Sequence, residues 1–133
     1  MAMQPPRLPS EGVLRDGSGL TLDVVGTGPS VRVLVVGELD RRTAPQLARC
    51  LHSLLDCGLR QVDLDLAGVT FLAAAGLTAL LEAAVRAGQV GGRVRLTAAP
   101  SRVRRILELT ALDTVLEVQP PHVWVQQVGT SRR

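Results

Sequence analysis

Carboxylates are the side chains of this sequence that could most readily take part in chemistry. Glu38 and Asp40 follow one apolar run, while Asp63 and Asp65 alternate with the apolar residues of another. In open α/β sheets, sites form at the carboxyl ends of the strands, so Asp40 and Asp65 could act as an acid–base pair or bind a metal. Carboxylates of solvated surface loops produce the same pattern and do so more often. An enzyme is therefore kept as the third hypothesis.

The two cysteines, Cys50 and Cys57, lie seven residues apart and do not indicate catalysis. On one helix their Cα atoms would be about 10.5 Å apart, whereas a disulfide needs less than about 7 Å. We therefore expect two reduced, partly buried thiols. His52 is two residues from Cys50 and so lies on a different helix face. With two histidines in the chain and no clustered Cys/His ligands, we expect no metal site.

Nucleotide and nucleic-acid binding are disfavoured by the composition. All 15 basic residues are arginines, so the sequence cannot contain a P-loop, which requires a lysine. The glycines do not form a dinucleotide fingerprint, and we expect no cofactor. Aromatic residues amount to 2%, which leaves no stacking platform for a single strand, and the net charge is only +3. We therefore expect no nucleic-acid partner.

Membrane insertion is not expected either. The longest apolar run, Phe71 to Leu81, has 11 residues, whereas a membrane-spanning helix needs about 20. No charged and then apolar leader opens the sequence, so a cytoplasmic location is the expectation.

Hydrophobic periodicity predicts strands that alternate with helices. The second strand is almost wholly apolar and β-branched, which predicts a central strand covered on both faces. Thr43 and Gln46 form a capping box at the start of the first helix. The predicted strands are Leu20–Val25, Val31–Val36, Val62–Leu66, Arg93–Thr97 and Val115–Val118. The first predicted helix begins at Thr43, the second runs from about Ala74 to Gln89, and the third begins at Pro100-Ser101. The predicted buried stripe of the first helix is Leu47, Cys50, Leu51, Leu54 and Leu55, and that of the second is Leu77, Leu80, Leu81, Ala84 and Val85.

This order predicts a single α/β domain with a mostly parallel sheet of four to five strands, flanked by three to four helices. We expect residues 1–19 to form a flexible N-terminal arm, residues 20–118 the domain, and residues 119–133 a C-terminal tail. Trp124 in that tail could pack on the core or contact another chain.

Seven segments of the sequence, taken in order and with their spacing, resemble the bacterial anti-sigma factor antagonists, which are STAS domains. The segments are Gly37-Glu38-Leu39-Asp40, Thr43-Ala44-Pro45, Val62 through Gly68, Val69-Thr70-Phe71-Leu72, Gly76-Leu77, Gly91-Gly92-Arg93, and Val103 through Thr110. The resemblance runs from about residue 18 to residue 118. It implies a mixed sheet flanked by helices, without catalytic activity. It also implies a partner, an anti-sigma factor that is an ATP-dependent serine kinase, whose capture frees a sigma factor for transcription.

The sequence departs from that family where the family is phosphorylated. The resemblance places the phosphoacceptor serine at the start of the second helix, where this chain has Ala73-Ala74-Ala75. The phosphoacceptor maps to Ala74, which has no hydroxyl, so the switch is predicted to be lost. Three explanations stay open: a constitutive antagonist, a STAS subunit of a phospholipid-transport complex or stress-signalling scaffold, or a laboratory substitution.

The resemblance also predicts which residues contact the partner. They belong to the loop after the second predicted strand and to the start of the second helix. They are Glu38, Asp40, Arg41, Thr43, Thr70, Ala73, Ala74, Ala75, Gly76 and Thr78.

Further expectations concern individual residues of these segments. Asp40 could equally be a turn residue that caps the next element. Thr70 could cap the second helix from further out, and Thr78 could be an alternative phosphoacceptor. Ala111 stands where relatives often have a glycine, which predicts a strained helix end. A homodimer is a further alternative for the partner.

Overall fold

Strands and helices alternate along the chain in the computed structural model, which describes residues 13–15, 19–26, 28–114 and 116–119. The strands are β1 Val13–Arg15, β2 Leu20–Val25, β3 Ser30–Leu39, β4 Gln61–Leu72, β5 Arg93–Ala98 and β6 Glu117–Val118. The helices are α1 Ala44–Asp56, α2 Ala74–Gln89 and α3 Ser101–Leu109, followed by a 3₁₀ turn at Leu112–Thr114.

The strands form one sheet in the order in which they occur in the sequence. β1, β2 and β3 pair antiparallel, and β3 to β6 pair parallel, so the sheet is mixed and mostly parallel. The predicted fold class is confirmed. The short β1 adds one strand to the expected number, and it lies within residues 1–19, where no element was expected.

One face of the sheet carries the core. The three parallel connections all step in the same direction along the sheet, so right-handed crossovers place α1, α2 and α3 on a single face. Burial confirms this, because Val31, Val33 and Val35 of β3 are buried while Arg32 and Val36 are exposed. The prediction that β3 is covered on both faces is therefore wrong. The apolar residues Leu34 and Val36 also occupy the open face of this strand, and composition alone does not show which face packs.

The buried side of α2 differs from the predicted stripe. The buried residues of α2 are Gly76, Ala79, Leu80, Ala83 and Ala87. Of the predicted stripe of Leu77, Leu80, Leu81, Ala84 and Val85, only Leu80 is fully buried, and Val85 is exposed. Small residues let the helix approach α1 and the sheet closely, and this outweighs the larger area that the leucines would bury. The predicted stripe of α1, Leu47, Cys50, Leu51, Leu54 and Leu55, is buried as expected.

The predicted thiols and the predicted helix end are confirmed. Both cysteines are free, and burial raises the pKa of the Cys50 thiol to about 11, so this thiol stays protonated at neutral pH. Ala111 has a φ of 61°, the left-handed conformation that glycine adopts more readily. Most of the predicted arm and nearly all of the predicted tail, including Trp124, lie outside the described residues.

Candidate partner-binding site

The candidate site lies at the carboxyl edge of the sheet, where β3 and β4 end side by side. The two strands pair in parallel up to Leu39 and Leu72. The Ala73 amide donates to the Leu39 carbonyl at 2.8 Å, and the Thr70 hydroxyl donates to the Gly37 carbonyl at 3.3 Å. These bonds join the end of β3 to the end of β4 and the start of α2. They place the β3–α1 loop, residues 40–43, next to the start of α2.

Thr43 is the centre of the β3–α1 loop. Its hydroxyl donates to the Glu38 carbonyl at 2.6 Å and accepts from the Asp40 amide at 3.0 Å. The side chain is fully buried and makes no capping bond to α1. The helix does begin at Ala44 with Thr43 as its N-cap residue. The prediction that the Gln46 amide donates to the Thr43 hydroxyl is wrong. The hydroxyl instead bonds to the Glu38 carbonyl and the Asp40 amide.

The Asp40 carboxylate is also used within the loop. Its Oδ1 accepts from the Arg42 amide at 2.9 Å and from the Thr43 amide at 3.2 Å. The Arg42 guanidinium bridges Asp40 at 3.2 Å and Glu38 at 3.4 Å. Burial alone would raise the pKa of Asp40, but the amides of Thr43 and Arg42 and the guanidinium together hold that pKa below its ordinary value. Of the two roles predicted for Asp40, the structure shows that of the turn residue.

The start of α2 has no comparable bonds. Ala73 is the N-cap residue, with extended backbone at φ −102° and ψ 173°, and no side chain caps the helix. Thr70 donates to Gly37 instead, so the predicted outer cap is wrong. Ala74 and Thr78 are exposed, while Ala73 and Ala75 are half-buried. The position that the resemblance assigns to the phosphoacceptor is therefore at the first residue of α2 and accessible.

Two of the predicted contact residues are buried and have another role. A Cβ atom on Gly76 would lie 2.8 Å from Leu72 Cδ1 and 3.0 Å from Leu39 Cβ, so only glycine lets α2 approach the loop this closely. Thr43 is fully buried as well. Both residues hold the surface in shape, and their burial does not favour direct contact with a partner. Glu38, Arg41, Thr70, Ala74 and Thr78 are the exposed members of the predicted set.

A shallow groove of about 240 Å³ separates α1 from α2 beside this surface. It is lined by Arg41, Ala44, Pro45, Ala48, Ala75, Thr78, Ala79 and Glu82. Sequence reasoning missed five of them, Ala44, Pro45, Ala48, Ala79 and Glu82. The spacing of positions 75, 78, 79 and 82 places them on one face of a helix, and this could have predicted the α2 side of the groove. The side chains of Arg41 and Glu82 make no ion pair or hydrogen bond with the residues that the structure describes.

Asp40 and Asp65 do not form a pair. Asp65 lies on β4 opposite Leu34, which precedes Asp40 by six residues of nearly extended chain, about 20 Å. Its Oδ1 accepts from the Ala67 amide at 2.9 Å. Neither the α1–α2 groove nor the cavity beside Phe71 has either carboxylate in its lining. The hypothesis of an enzyme that uses these two residues therefore lacks the shared pocket it requires.

Two features are absent from the described residues. No group of three or more metal-binding side chains occurs in that part of the chain. Within the same residues, every helix is too short or too polar to cross a membrane.

A mixed sheet with three helices on one face and a surface at the carboxyl ends of β3 and β4 defines a class of small α/β domains. The profile of the family described as "Mlab, STAS domain" matches residues 22–118, which is most of the chain. The chain belongs to the STAS domain family, and the resemblance found in the sequence is confirmed at this level.

Similar solved structures include several anti-sigma factor antagonists. One from Mycobacterium paratuberculosis is 27% identical, with a TM-score of 0.70 over 86% of this chain and 98% of that one. The antagonist SpoIIAA in its unphosphorylated form is 15% identical, with a TM-score of 0.64 over 82% and 96%. The phosphorylated form of SpoIIAA from Bacillus is 16% identical, with a TM-score of 0.61 over 80% and 98%. The two SpoIIAA structures show the fold alone.

Proposed function

We propose that this protein is an anti-sigma factor antagonist that binds an anti-sigma factor of the ATP-dependent serine kinase type and acts in the cytoplasm. The proposed contact surface is the exposed part of residues 37–43, the first turn of α2 and the α1–α2 groove. The observation that carries the proposal is that hydrogen bonds between the end of β3 and the start of α2 set the β3–α1 loop beside that helix start on a STAS domain. The 27% identical antagonist supports the same role.

Preorganisation of this surface favours binding. Asp40 and Thr43 hold the loop through short bonds within it, and Gly76 lets α2 pack directly on Leu39. A loop that is already ordered pays less conformational entropy when a partner binds. The bonds also leave Arg41 and Glu82 as the charges on the groove walls that have no partner among the described residues. We infer that the partner presents an acidic group to Arg41 and a basic group to Glu82.

The first experiment measures binding directly. The purified protein is titrated calorimetrically against each ATPase-fold anti-sigma factor encoded in the same genome. We expect one of them to bind, and Arg41→Glu to weaken that binding at least tenfold. Arg49→Glu is the matched control, since Arg49 is an exposed arginine of α1 outside the groove. Absence of binding to every anti-sigma factor, or equal losses in both variants, would overturn the proposal.

The same surface supports a constitutive form of the antagonist. Ala74 is exposed at the first residue of α2, where a phosphate would gain from the helix dipole and add nearly two negative charges. Alanine has no hydroxyl, so this charge cannot be introduced at that position. We propose that partner binding is not switched by phosphorylation at Ala74.

The second experiment restores the switch. With the cognate kinase and labelled ATP, we expect no incorporation into the native protein. The Ala73→Asp, Ala74→Ser double variant should become labelled and should then release the partner. Label on Thr78 or Thr43 of the native protein would contradict the constitutive form. Failure of a labelled double variant to release the partner would show that the charge does not act at this surface.

The alternative partner is tested in the same titration. The expected subunit of a phospholipid-transport complex would bind a transporter ATPase instead of an anti-sigma factor. Selective binding to the transporter ATPase would therefore replace the antagonist proposal. Sedimentation of the protein alone separates the homodimer alternative from both.

A further inference from the structure

A second cavity lies on the other side of the α2 start, between the end of β4 and the first turns of α3. It holds about 220 Å³ and is lined by Thr70, Phe71, Leu72, Arg102, Val103 and Ile106. Its lining is therefore mainly apolar. Thr70 is one of the residues predicted to contact the partner, and Phe71 follows it directly, so the cavity adjoins the proposed contact surface on the side of α3.

Phe71 leaves an unusual amount of apolar surface in solvent here. It is the sole phenylalanine of the sequence, and 53% of its surface is exposed. Ile106 is half-buried, and Leu109, one turn further along α3, is 72% exposed. Exposed apolar side chains that adjoin a cavity are typical of interaction sites, whereas isolated ones need no explanation.

The charge at this cavity is positive. Arg102 is an exposed residue of the cavity lining, and its side chain makes no ion pair or hydrogen bond with the described residues. The positive end of the α3 dipole lies at the same place, because Arg102 is the second residue of that helix. No carboxylate lines the cavity. An apolar group that carries a negative charge next to it complements this arrangement.

We infer that this cavity accepts one aromatic side chain of the protein partner, next to a carboxylate of the partner that pairs with Arg102. The inference deepens the proposed function and rests on it. The volume favours a side chain, because pockets for small-molecule ligands usually measure about 300–1,000 Å³. Aromatic anchors that fill small pockets are the residues that contribute most to protein–protein binding.

The first test does not need the partner. Phenylacetate carries an aromatic ring and a carboxylate, and phenethylamine carries the same ring and a cation. In ¹H–¹⁵N spectra of the full chain, phenylacetate should shift the amides of Phe71 and Ile106 at lower concentration than phenethylamine does. Arg102→Ala should remove this difference, and Ile106→Trp, which fills the cavity, should abolish the shifts. Equal responses to both probes, or unchanged shifts in Ile106→Trp, would overturn the inference.

The second test uses the anti-sigma factor that binds in the titrations. Ile106→Trp and Arg102→Glu should each weaken binding at least tenfold. Val85→Trp and Arg105→Glu are matched controls, since both residues are exposed and lie outside the cavity. Native binding with no loss in the two cavity variants would refute the inference and leave the proposed function standing. Absence of native binding would refute the proposed function, and the probe test would still decide what the cavity accepts.

Discussion

Two helices begin side by side at the carboxyl edge of this sheet, and their starts differ sharply. Before α1, the Asp40 carboxylate and the Thr43 hydroxyl use nearly all their bonding capacity on the surrounding loop. Before α2, three consecutive alanines provide no side-chain acceptor, and no side chain caps the helix. One start is held by its own polar side chains, while the other has no side-chain cap.

This difference distinguishes residues that support the surface from residues that are free to contact a partner. A loop whose polar groups are satisfied internally has few left for a partner, so Asp40 and Thr43 shape the surface. The bare start of α2 is held in place by its neighbours, through the Ala73–Leu39 bond and the close approach at Gly76. Its position is therefore well defined although its own side chains contribute little.

The largest expected effect comes from breaking the rigid start. Thr43→Val keeps the shape of the side chain and removes the hydroxyl, which leaves the Glu38 carbonyl and the Asp40 amide without that partner. We expect a loss of about 3 kcal/mol in the free energy of unfolding, measured by urea denaturation. Thr78→Val, at an exposed threonine of α2, should change stability by less than about 0.5 kcal/mol. Equal effects would show that the Thr43 bonds do not hold the loop.

The next effect concerns how closely α2 sits on the loop. In Gly76→Ala the new Cβ meets Leu72 and Leu39, and we expect a loss of about 2 kcal/mol. Gly88→Ala is the matched control in the same helix, since a Cβ there meets no atom within 4 Å. It should stabilise the protein by about 0.5–1 kcal/mol. Thermal denaturation should show a lower melting temperature for Gly76→Ala and a higher one for Gly88→Ala. A stabilising Gly76→Ala would contradict the close approach of α2 to Leu39 and Leu72.

A smaller effect should make the two starts more alike. Ala73 has the extended backbone of an N-cap residue, so Ala73→Asp can accept from the first amides of α2. We expect a gain of about 1 kcal/mol in the free energy of unfolding. Ala73→Val adds a side chain without an acceptor and should give no such gain. If both variants behave alike, the first turn of α2 is satisfied in some other way.

The smallest effect is the pH dependence of the rigid start. The pKa of Asp40 is lowered in the folded protein, so its contribution to stability is present above the unfolded pKa, about 4. This contribution is lost as the pH falls through the lower folded pKa. Asp40→Asn should therefore flatten the acid limb of the stability curve, and Asp113→Asn, at an exposed residue of the 3₁₀ turn, should not. An unchanged acid limb in Asp40→Asn would contradict the bonds assigned to this carboxylate.

Local patterns predicted most of the fold. The α2 boundaries, Ala74 and Gln89, match the structure, and so does the α1 stripe. The strained end at Ala111, which the family resemblance predicted, is also found. The face of β3 that packs and the buried side of α2 could not be predicted this way. Both depend on which neighbour approaches closest, and hydrophobicity along one segment does not contain that information.

The sequence by itself determined the family and the missing hydroxyl at Ala74, because both follow from residue types in a fixed order. Only the tertiary structure decided that Thr43 and Gly76 are buried supports. It also placed Arg41 and Glu82, whose side chains have no partner among the described residues, on one groove, and Phe71 beside Arg102 on another. The physical reason is that the pairs Gly76 and Leu39, Arg41 and Glu82, and Phe71 and Arg102 each lie more than 30 positions apart in the sequence. They meet only once parallel strands bring the ends of β3 and β4 to the same edge.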